Sequence, residues 1–188
     1  MKRIFDLLIA VVIIVLVLSW LLPILALLIL LDSKGPVFFV QKRVGRRERL
    51  FACYKLRTMV VNDQADHRPA AGDDARITRL GSWLRRSHLD ELPQFFNVLW
   101  GDMSVVGPRP EMPHFVERHL ERVEQYNARH FFKVGITGWA QVNGWRGDTS
   151  ITKRVEYDLY YLRNWSLTFD LQIMTMTILR IFNSKNAY

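Results

Sequence analysis

Apolar residues fill the first thirty-three positions and then recede. Residues 7–31 contain no charge, and only Ser19 and Pro23 interrupt the run. A bilayer's hydrocarbon core needs ~20 apolar residues of helix, so this segment is long enough to cross one. A signal peptide would share the basic start, Lys2 and Arg3, but it has a shorter apolar core and a small-residue cleavage site, neither of which is evident here. Positive residues favour the cytoplasmic side of a membrane, and here they stand at both ends: Lys2 and Arg3 before, Lys34, Lys42, Arg43, Arg46, Arg47 and Arg49 after. Pro23 reconciles charge with length. Its missing N–H frees the Ser19 carbonyl and its ring kinks the helix, and the Ser19 hydroxyl can help satisfy the loosened backbone. Charge placement thus favours a re-entrant helix over residues 1–33, entering and leaving by one face, over the straight span that length alone also permits.

Beyond residue 33 the periods shorten. Gly35-Pro36 breaks the chain, residues 37–41 predict a short strand, and residues 50–58 predict a second, with Lys55 and Arg57 on one face. Residues 62–74, with Pro69 and Gly72, predict a polar surface loop or lid. Residues 78–86 predict a short amphipathic helix, and Phe95, Phe96, Val98, Leu99 and Trp100 mark a strongly apolar one. Residues 111–127 predict a longer helix with Phe115, Val116, Leu120, Val123 and Tyr126 toward a core. The glycine- and tryptophan-rich residues 135–147 predict an ordered loop that brings backbone close to a nucleotide or to the membrane interface. Residues 151–165 and 167–182 predict two final helices. The second carries Asp170 and Arg180 and is short for a span, which favours an amphipathic interfacial helix over a spanning one, with an ordinary core helix fitting almost as well. The whole predicts an α+β fold, mostly helical, with the membrane helix followed by a small cytosolic domain over residues 34–188.

Composition narrows the partners. The chain has 188 residues and a net charge of +8, enough for one domain with an appendage and suited to nucleic acid, an anionic membrane surface or a phosphorylated substrate. Seven Lys or Arg lie between Gln41 and Arg57, against the single Glu48; beside a membrane segment such a run contacts lipid headgroups. Cys53 is the sole cysteine, so no internal disulfide exists, and it reads as a small buried hydrophobe. There is no zinc-type cysteine–histidine cluster and no Walker or Rossmann phosphate loop. His114, His119 and His130 have no metal-ligand spacing as a set.

The stretch Ser87-His88-Leu89-Asp90-Glu91-Leu92-Pro93-Gln94 concentrates the chemistry. It sets two adjacent carboxylates behind Arg76, Arg79, Arg85 and Arg86. Ser87 with Asp90 resembles a helix N-cap with its acidic partner, although Pro93 also allows the helix to begin there with Leu92 as its cap. Either start leaves Asp90 near a helix N-terminus, ionised and surrounded by arginine. Downstream, the prolines of Gly107-Pro108-Arg109-Pro110 restrict the backbone on both sides of one guanidinium, which suits bidentate phosphate recognition.

Four ordered motifs carry a family resemblance: Lys55-Leu56-Arg57-Thr58-Met59; Arg85-Arg86-Ser87-His88-Leu89-Asp90-Glu91-Leu92-Pro93-Gln94 with Asn97; Met103-Ser104-Val105-Val106-Gly107-Pro108-Arg109-Pro110; and Gly135-Ile136-Thr137-Gly138-Trp139-Ala140-Gln141-Val142-Asn143-Gly144. Over essentially the whole chain they resemble the bacterial sugar transferases, the monotopic polyprenol-phosphate phosphoglycosyl transferases that start exopolysaccharide and glycoconjugate synthesis. Trp145-Arg146-Gly147 and Asn186-Ala187-Tyr188 look most like the catalytic half of the larger undecaprenyl-phosphate glucose- or galactose-phosphate transferases, without their upstream transmembrane helices.

The resemblance implies a re-entrant helix kinked at Ser19 and Pro23, a site at the cytoplasmic face of the bacterial inner membrane, and bound Mg²⁺. It implies that Asp90 attacks the sugar-proximal phosphorus of a UDP-sugar and releases UMP, and that undecaprenyl phosphate then takes the phosphosugar to give undecaprenyl diphosphate-sugar. Two steps through one nucleophile let different partners use one site in turn. Asp90 and Glu91 would face the metal, with Glu91 also a possible base for the lipid phosphate. Arg85 and Arg109 match phosphate-binding positions, and Lys55, Arg57, Pro108, Pro110 and Gln141 complete the expected substrate-binding set. Two departures stand out: Leu22 precedes Pro23 where the family often has serine, and His88 stands where a serine or threonine is expected. A membrane-anchored nucleic-acid binder would use the basic run but has no use for the acidic dyad, and a non-catalytic scaffold or a one-step transferase are the other rivals. Expected partners are a UDP-sugar, undecaprenyl phosphate and membrane lipid, with a homo-oligomer admitted and nucleic acid not.

Overall fold

One helix runs from Lys2 to Asp32, 31 residues and about 46 Å long at 1.5 Å per residue. The structure, a computed structural model, describes residues 1–63, 74–147 and 149–183; the expected loop at 62–74 and the ending at 186–188 fall largely or wholly outside them. The helix comprises α1 (Lys2–Ile13), a π-helical turn (Ile14–Leu18) and α2 (Ser19–Asp32), which contains Pro23. Ser19 Oγ donates to the Val15 carbonyl at 2.6 Å and Trp20 Nε1 to that of Leu16 at 2.8 Å. The serine thus serves the widened turn rather than its own carbonyl, because a helical hydroxyl reaches the carbonyl four residues back.

Both ends of this helix are tied to the rest of the protein. At the start, Lys2 pairs with Asp170 at 2.6 Å and Arg3 donates to the Leu99 carbonyl at 2.9 Å. Buried Asp6 accepts from Ser104 Oγ at 2.9 Å and from the Val105 N–H at 3.0 Å. At the finish, buried Arg57 donates to the carbonyl of Ile29, which also accepts from the Ser33 N–H, and to those of Ser33 and Lys34 just past the helix. Ala10 joins the main core, and Leu25 and Ile29 pack with Leu56 and Leu84. Between the ties Leu8, Val12, Val15, Leu16, Ile24 and Leu27 stay exposed.

Strands β1 (Phe38–Val44) and β2 (Leu50–Leu56) form an antiparallel hairpin with Gln41 opposite Cys53; Cys53 is buried. Helix α3 (Arg79–Arg86) starts where Thr78 Oγ1 accepts from the Gly81 N–H at 2.9 Å. Helix α4 (Gln94–Trp100) follows Pro93. Its fully buried Asn97 accepts from the Tyr54 N–H at 3.1 Å and donates to the Ala52 carbonyl at 2.7 Å. One side chain thereby satisfies part of the free edge of β2 and fixes α4 against it.

A second, parallel pair joins β3 (Ser104–Val106) to β4 (Gly135–Thr137). Strand β4 opens the stretch expected as an ordered loop over 135–147, because three-residue strands give no usable alternation. Here Gly107 and Gly135 meet backbone to backbone: a Cβ on Gly135 would lie 2.1 Å from the Gly107 nitrogen. The helix expected over 111–127 is shorter, α5 (Pro113–Arg122). Gln125 adopts a left-handed conformation (φ 59°), and a 3-10 stretch, Tyr126–Phe131, turns Tyr126 and Arg129 into the interior. Helices α6 (Trp139–Val142), α7 (Ile151–Arg163) and α8 (Leu167–Asn183) complete the chain. Helix α8 buries Asp170 and Ile173 while Leu171, Ile178 and Leu179 remain exposed, so it joins the core along one side and presents apolar groups on the other.

Arg57→Ala should destabilise the protein by about 2–4 kcal/mol by stripping donors from buried carbonyls. Thermal melting in detergent and faster proteolysis around residues 33–36 would read the loss. Donor KM in the folded fraction should stay unchanged, since Arg57 serves the helix end.

Candidate active site

Asp90 and Glu91 lie on a short 3-10 turn, Leu89–Glu91, between α3 and α4. Ser87 does not cap a new helix: it closes α3, its hydroxyl bonding the Trp83 carbonyl at 2.9 Å. His88 then takes a left-handed conformation (φ 57°, ψ 14°) that breaks the helix. The later of the two expected starts holds, with Pro93 itself as the cap.

The two carboxylates have opposite surroundings. Glu91 Oε1 accepts from Lys55 Nζ at 2.6 Å and from Arg109 Nη2 at 2.7 Å, while Oε2 faces Arg109 Nη1 at 3.3 Å. Burial pushes the Glu91 carboxyl up, but Arg109 and Lys55 outweigh it and hold it well below the usual range. Asp90, 8 % exposed, has no hydrogen-bond or ion-pair partner among the described residues. Burial, helped by the charge of Glu91, pushes its carboxyl up to about 6 against the pull of Lys55, Arg85 and Arg109. Its proton is thus held to a higher pH than that of an ordinary carboxyl, and the ionised form expected from sequence prevails only above about 6.

Lys55 and Arg109 therefore meet at the dyad. Arg85 faces Asp90 electrostatically and donates from Nε to Thr58 Oγ1 at 2.7 Å. Arg57 does not come to the site: β2 ends at Leu56, and the guanidinium turns to the end of α2. Pro108 and Pro110 hold Arg109 through their carbonyls, which accept from the Gly135 N–H at 2.8 Å and from Arg43 Nη1 at 3.2 Å. Gln141 donates to the Ile136 carbonyl at 3.1 Å, and its Oε1 is buried without a partner.

A supporting network was not anticipated. Arg129, 1 % exposed, donates to the Arg109 carbonyl at 3.0 Å and lies 2.8 Å from Asp158. Arg154 bonds Glu111 at 2.5 Å and the Gly147 carbonyl at 2.6 Å. A signal was present: Arg154 and Asp158 are four apart on the face of α7 that carries Val155 and Leu162, and charges on an apolar stripe call for partners. Arg146, on the loop after α6, reaches His88, with Nη1 3.1 Å from Nε2. Burial and Arg146 together lower the His88 pKa.

No group of three or more His, Cys, Asp or Glu side chains converges among the described residues, so no all-protein metal cage is present there. Mg²⁺ needs only one or two carboxylates when phosphate oxygens and waters complete its shell. Asp90, with no hydrogen-bond or ion-pair partner among the described residues, fits that requirement; Glu91 has most of its acceptor capacity taken by cations.

An apolar helix long enough to cross a membrane, tied at both ends to an α+β domain, and a buried carboxylate that feels the charges of Lys55, Arg85 and Arg109 characterise this fold and site. The pattern that describes the bacterial sugar transferase family matches residues 1–184, and the chain belongs to that family. It is 49% identical over 166 residues to the UDP-glucose:undecaprenyl-phosphate glucose-1-phosphate transferase of Xanthomonas campestris pv. campestris, covering 84% of this chain and 34% of that protein. The Escherichia coli (strain K12) protein of the same name is 45% identical over 194 residues, covering 100% of this chain and 41% of the relative. The UDP-N-acetylgalactosamine-undecaprenyl-phosphate N-acetylgalactosaminephosphotransferase of Aeromonas hydrophila is 46% identical over 165 residues, covering 86% and 39%. The chain thus spans 34–41% of the length of these three relatives.

The dyad makes opposite predictions for stability. The folded state binds the Asp90 proton more tightly than an unfolded chain does, so ionisation costs stability as pH rises from about 4 to about 6. Asp90→Asn should raise the melting temperature at pH 7.5, with the gain vanishing below pH ~4. Glu91→Gln leaves Lys55 and Arg109 without their counter-charge and should cost about 3 kcal/mol. Thermal scans of both variants across pH 4–8 read the two signs.

Proposed function

We propose that this chain transfers a sugar-1-phosphate from a UDP-sugar to undecaprenyl phosphate, as an early membrane step of exopolysaccharide or glycoconjugate synthesis. The observation that carries the reading is the pairing of an unpartnered Asp90 with a Glu91 already engaged by Lys55 and Arg109. One carboxylate is free to react, and the other holds the cations that receive phosphate. The family and the relatives' names support the same chemistry.

In the first step an Asp90 oxygen attacks the phosphorus that bears the sugar, the bond to the nucleotide phosphate breaks, and UMP leaves with the electron pair. In the second, an oxygen of undecaprenyl phosphate attacks the phosphorus of the Asp90 phosphosugar. Undecaprenyl diphosphate-sugar forms and the carboxylate returns. Arg109 and Lys55 lower the charge repulsion that a carboxylate meets at a phosphate, and Arg85 adds to it from α3. Asp90 and the remaining lone pair of Glu91 would hold Mg²⁺, which when bound offsets phosphate charge. Pro108, Pro110 and Gln141 belong to the proposed site as the frame of Arg109 and its neighbouring loop. Nucleic acid is not a proposed partner; a UDP-sugar, undecaprenyl phosphate and membrane lipid are.

The membrane helix is proposed to be re-entrant, with residues 34–188 on the cytoplasmic face of the inner membrane. Its two ends are bonded to one folded body, Asp6 to β3 and Arg57 to the finish of α2, which argues against ends on opposite sides of a ~30 Å core. Exposed apolar groups of α8 fit the same surface. Glucose and N-acetylgalactosamine relatives match almost equally, so a panel of donors decides the sugar.

The test supplies UDP-sugars singly with Mg²⁺ to protein in nanodiscs, with and without undecaprenyl phosphate. Lipid-dependent UMP release, loss of more than about 10³-fold in Asp90→Asn and loss on chelation with recovery on adding Mg²⁺ are expected; UDP in place of UMP would overturn the reading. The donor kcat/KM should fall about tenfold per unit below pH ~6, as the Asp90 carboxylate gains its proton.

A further inference from the structure

Arg146 is a half-buried guanidinium with no carboxylate partner among the described residues. Its side-chain hydrogen bond is to His88 Nε2, 3.1 Å from Nη1. A guanidinium can only donate, so Nε2 accepts and the imidazole is neutral, carrying its proton on Nδ1. A neutral acceptor orients the cation without cancelling its charge. Glu91 is near enough to be felt, but so are Arg109 and Arg180, and both Glu91 oxygens already serve Lys55 and Arg109. Holding such a cation away from water is costly unless an anion joins it.

The loop is built to hold Arg146 there. The Trp145 N–H donates to the Ala140 carbonyl at 2.9 Å, Arg154 donates to the Gly147 carbonyl at 2.6 Å, and the Trp145 ring lies 6.1 Å from that of Tyr157. His88, two residues before Asp90, is fixed by its left-handed backbone. Arg146 thus comes to the catalytic turn from the loop after α6, whereas Lys55 comes from β2 and Arg109 from the turn after β3.

We propose that Arg146, seated on His88, forms a second anion subsite beside Asp90 that takes the nucleotide-side phosphate of the donor. This rests on the donor being a nucleoside diphosphate sugar, which brings two phosphates to one carboxylate. Lys55 and Arg109 are already shared with Glu91, while Arg146 keeps its full charge for the phosphate that gains charge as it leaves. A polyprenol phosphate head has the same chemistry, so the test separates the two.

The experiment uses the full chain in detergent. Calorimetry with UMP, with uridine and with undecaprenyl phosphate is run on the native protein, Arg146→Gln and Arg146→Lys, beside KM values for donor and acceptor. Loss of one charge-assisted contact should weaken UMP about 10- to 100-fold in Arg146→Gln, with uridine and acceptor affinity unchanged and part of the loss recovered by lysine. Equal UMP binding in Arg146→Gln, or a loss confined to the lipid phosphate, would overturn the proposal. If the native protein turned over no UDP-sugar yet bound UMP through Arg146, the subsite would stand and the reaction assigned above would fail. Normal turnover with UMP binding indifferent to Arg146 would give the reverse.

Discussion

The Glu91 carboxylate joins three parts of the chain that are distant in sequence. It takes Lys55 from the hairpin and Arg109 from the turn after β3, and it fixes the 3-10 turn on which it sits. Without it two cations would face each other in a buried place, a strongly unfavourable arrangement. With it they are held, and the neighbouring Asp90 is left with the burial but without a partner. The raised pKa of one acid is thus set in part by the charge of the next, and its ionisation comes at the expense of local stability.

Around this junction the backbone is fixed by unusually direct means. Asn97 bonds the open edge of β2, and the glycines of the third and fourth motifs let β3 and β4 come so close that their turns bond each other. Arg129 and Arg43 then hold the carbonyls on either side of the Arg109–Pro110 peptide. The Arg109 guanidinium is positioned by its main chain, which a longer or looser turn would not allow.

Much of this was legible. The apolar run, the hairpin, the short helix before the dyad and the two last helices follow from period and punctuation, and the prolines around Arg109 announced a fixed cation. What escaped shows the limits of local pattern. Arg57 shares the parity of Lys55, yet the strand ends between them and sends the side chain to a helix end 23 to 28 residues away in sequence. The 3-10 turn at Asp90 depends on the left-handed His88, a conformation histidine adopts only occasionally. Arg129 has no periodic context at all, and its burial is decided by Asp158 on α7 together with Tyr126 in its own 3-10 stretch.

The tie between Asp6 and the Val105 N–H has a wider meaning. Anchor and domain are not independent parts that could be exchanged between proteins or cut apart at residue 33. Removing the helix would uncover the Val105 N–H, take the Lys2 ammonium from Asp170, which would keep only Tyr161 and Trp165, and leave Arg57 with the Lys34 carbonyl alone. A fragment without the helix would therefore have to be redesigned at three polar points, and inheritance must treat helix and domain as one unit.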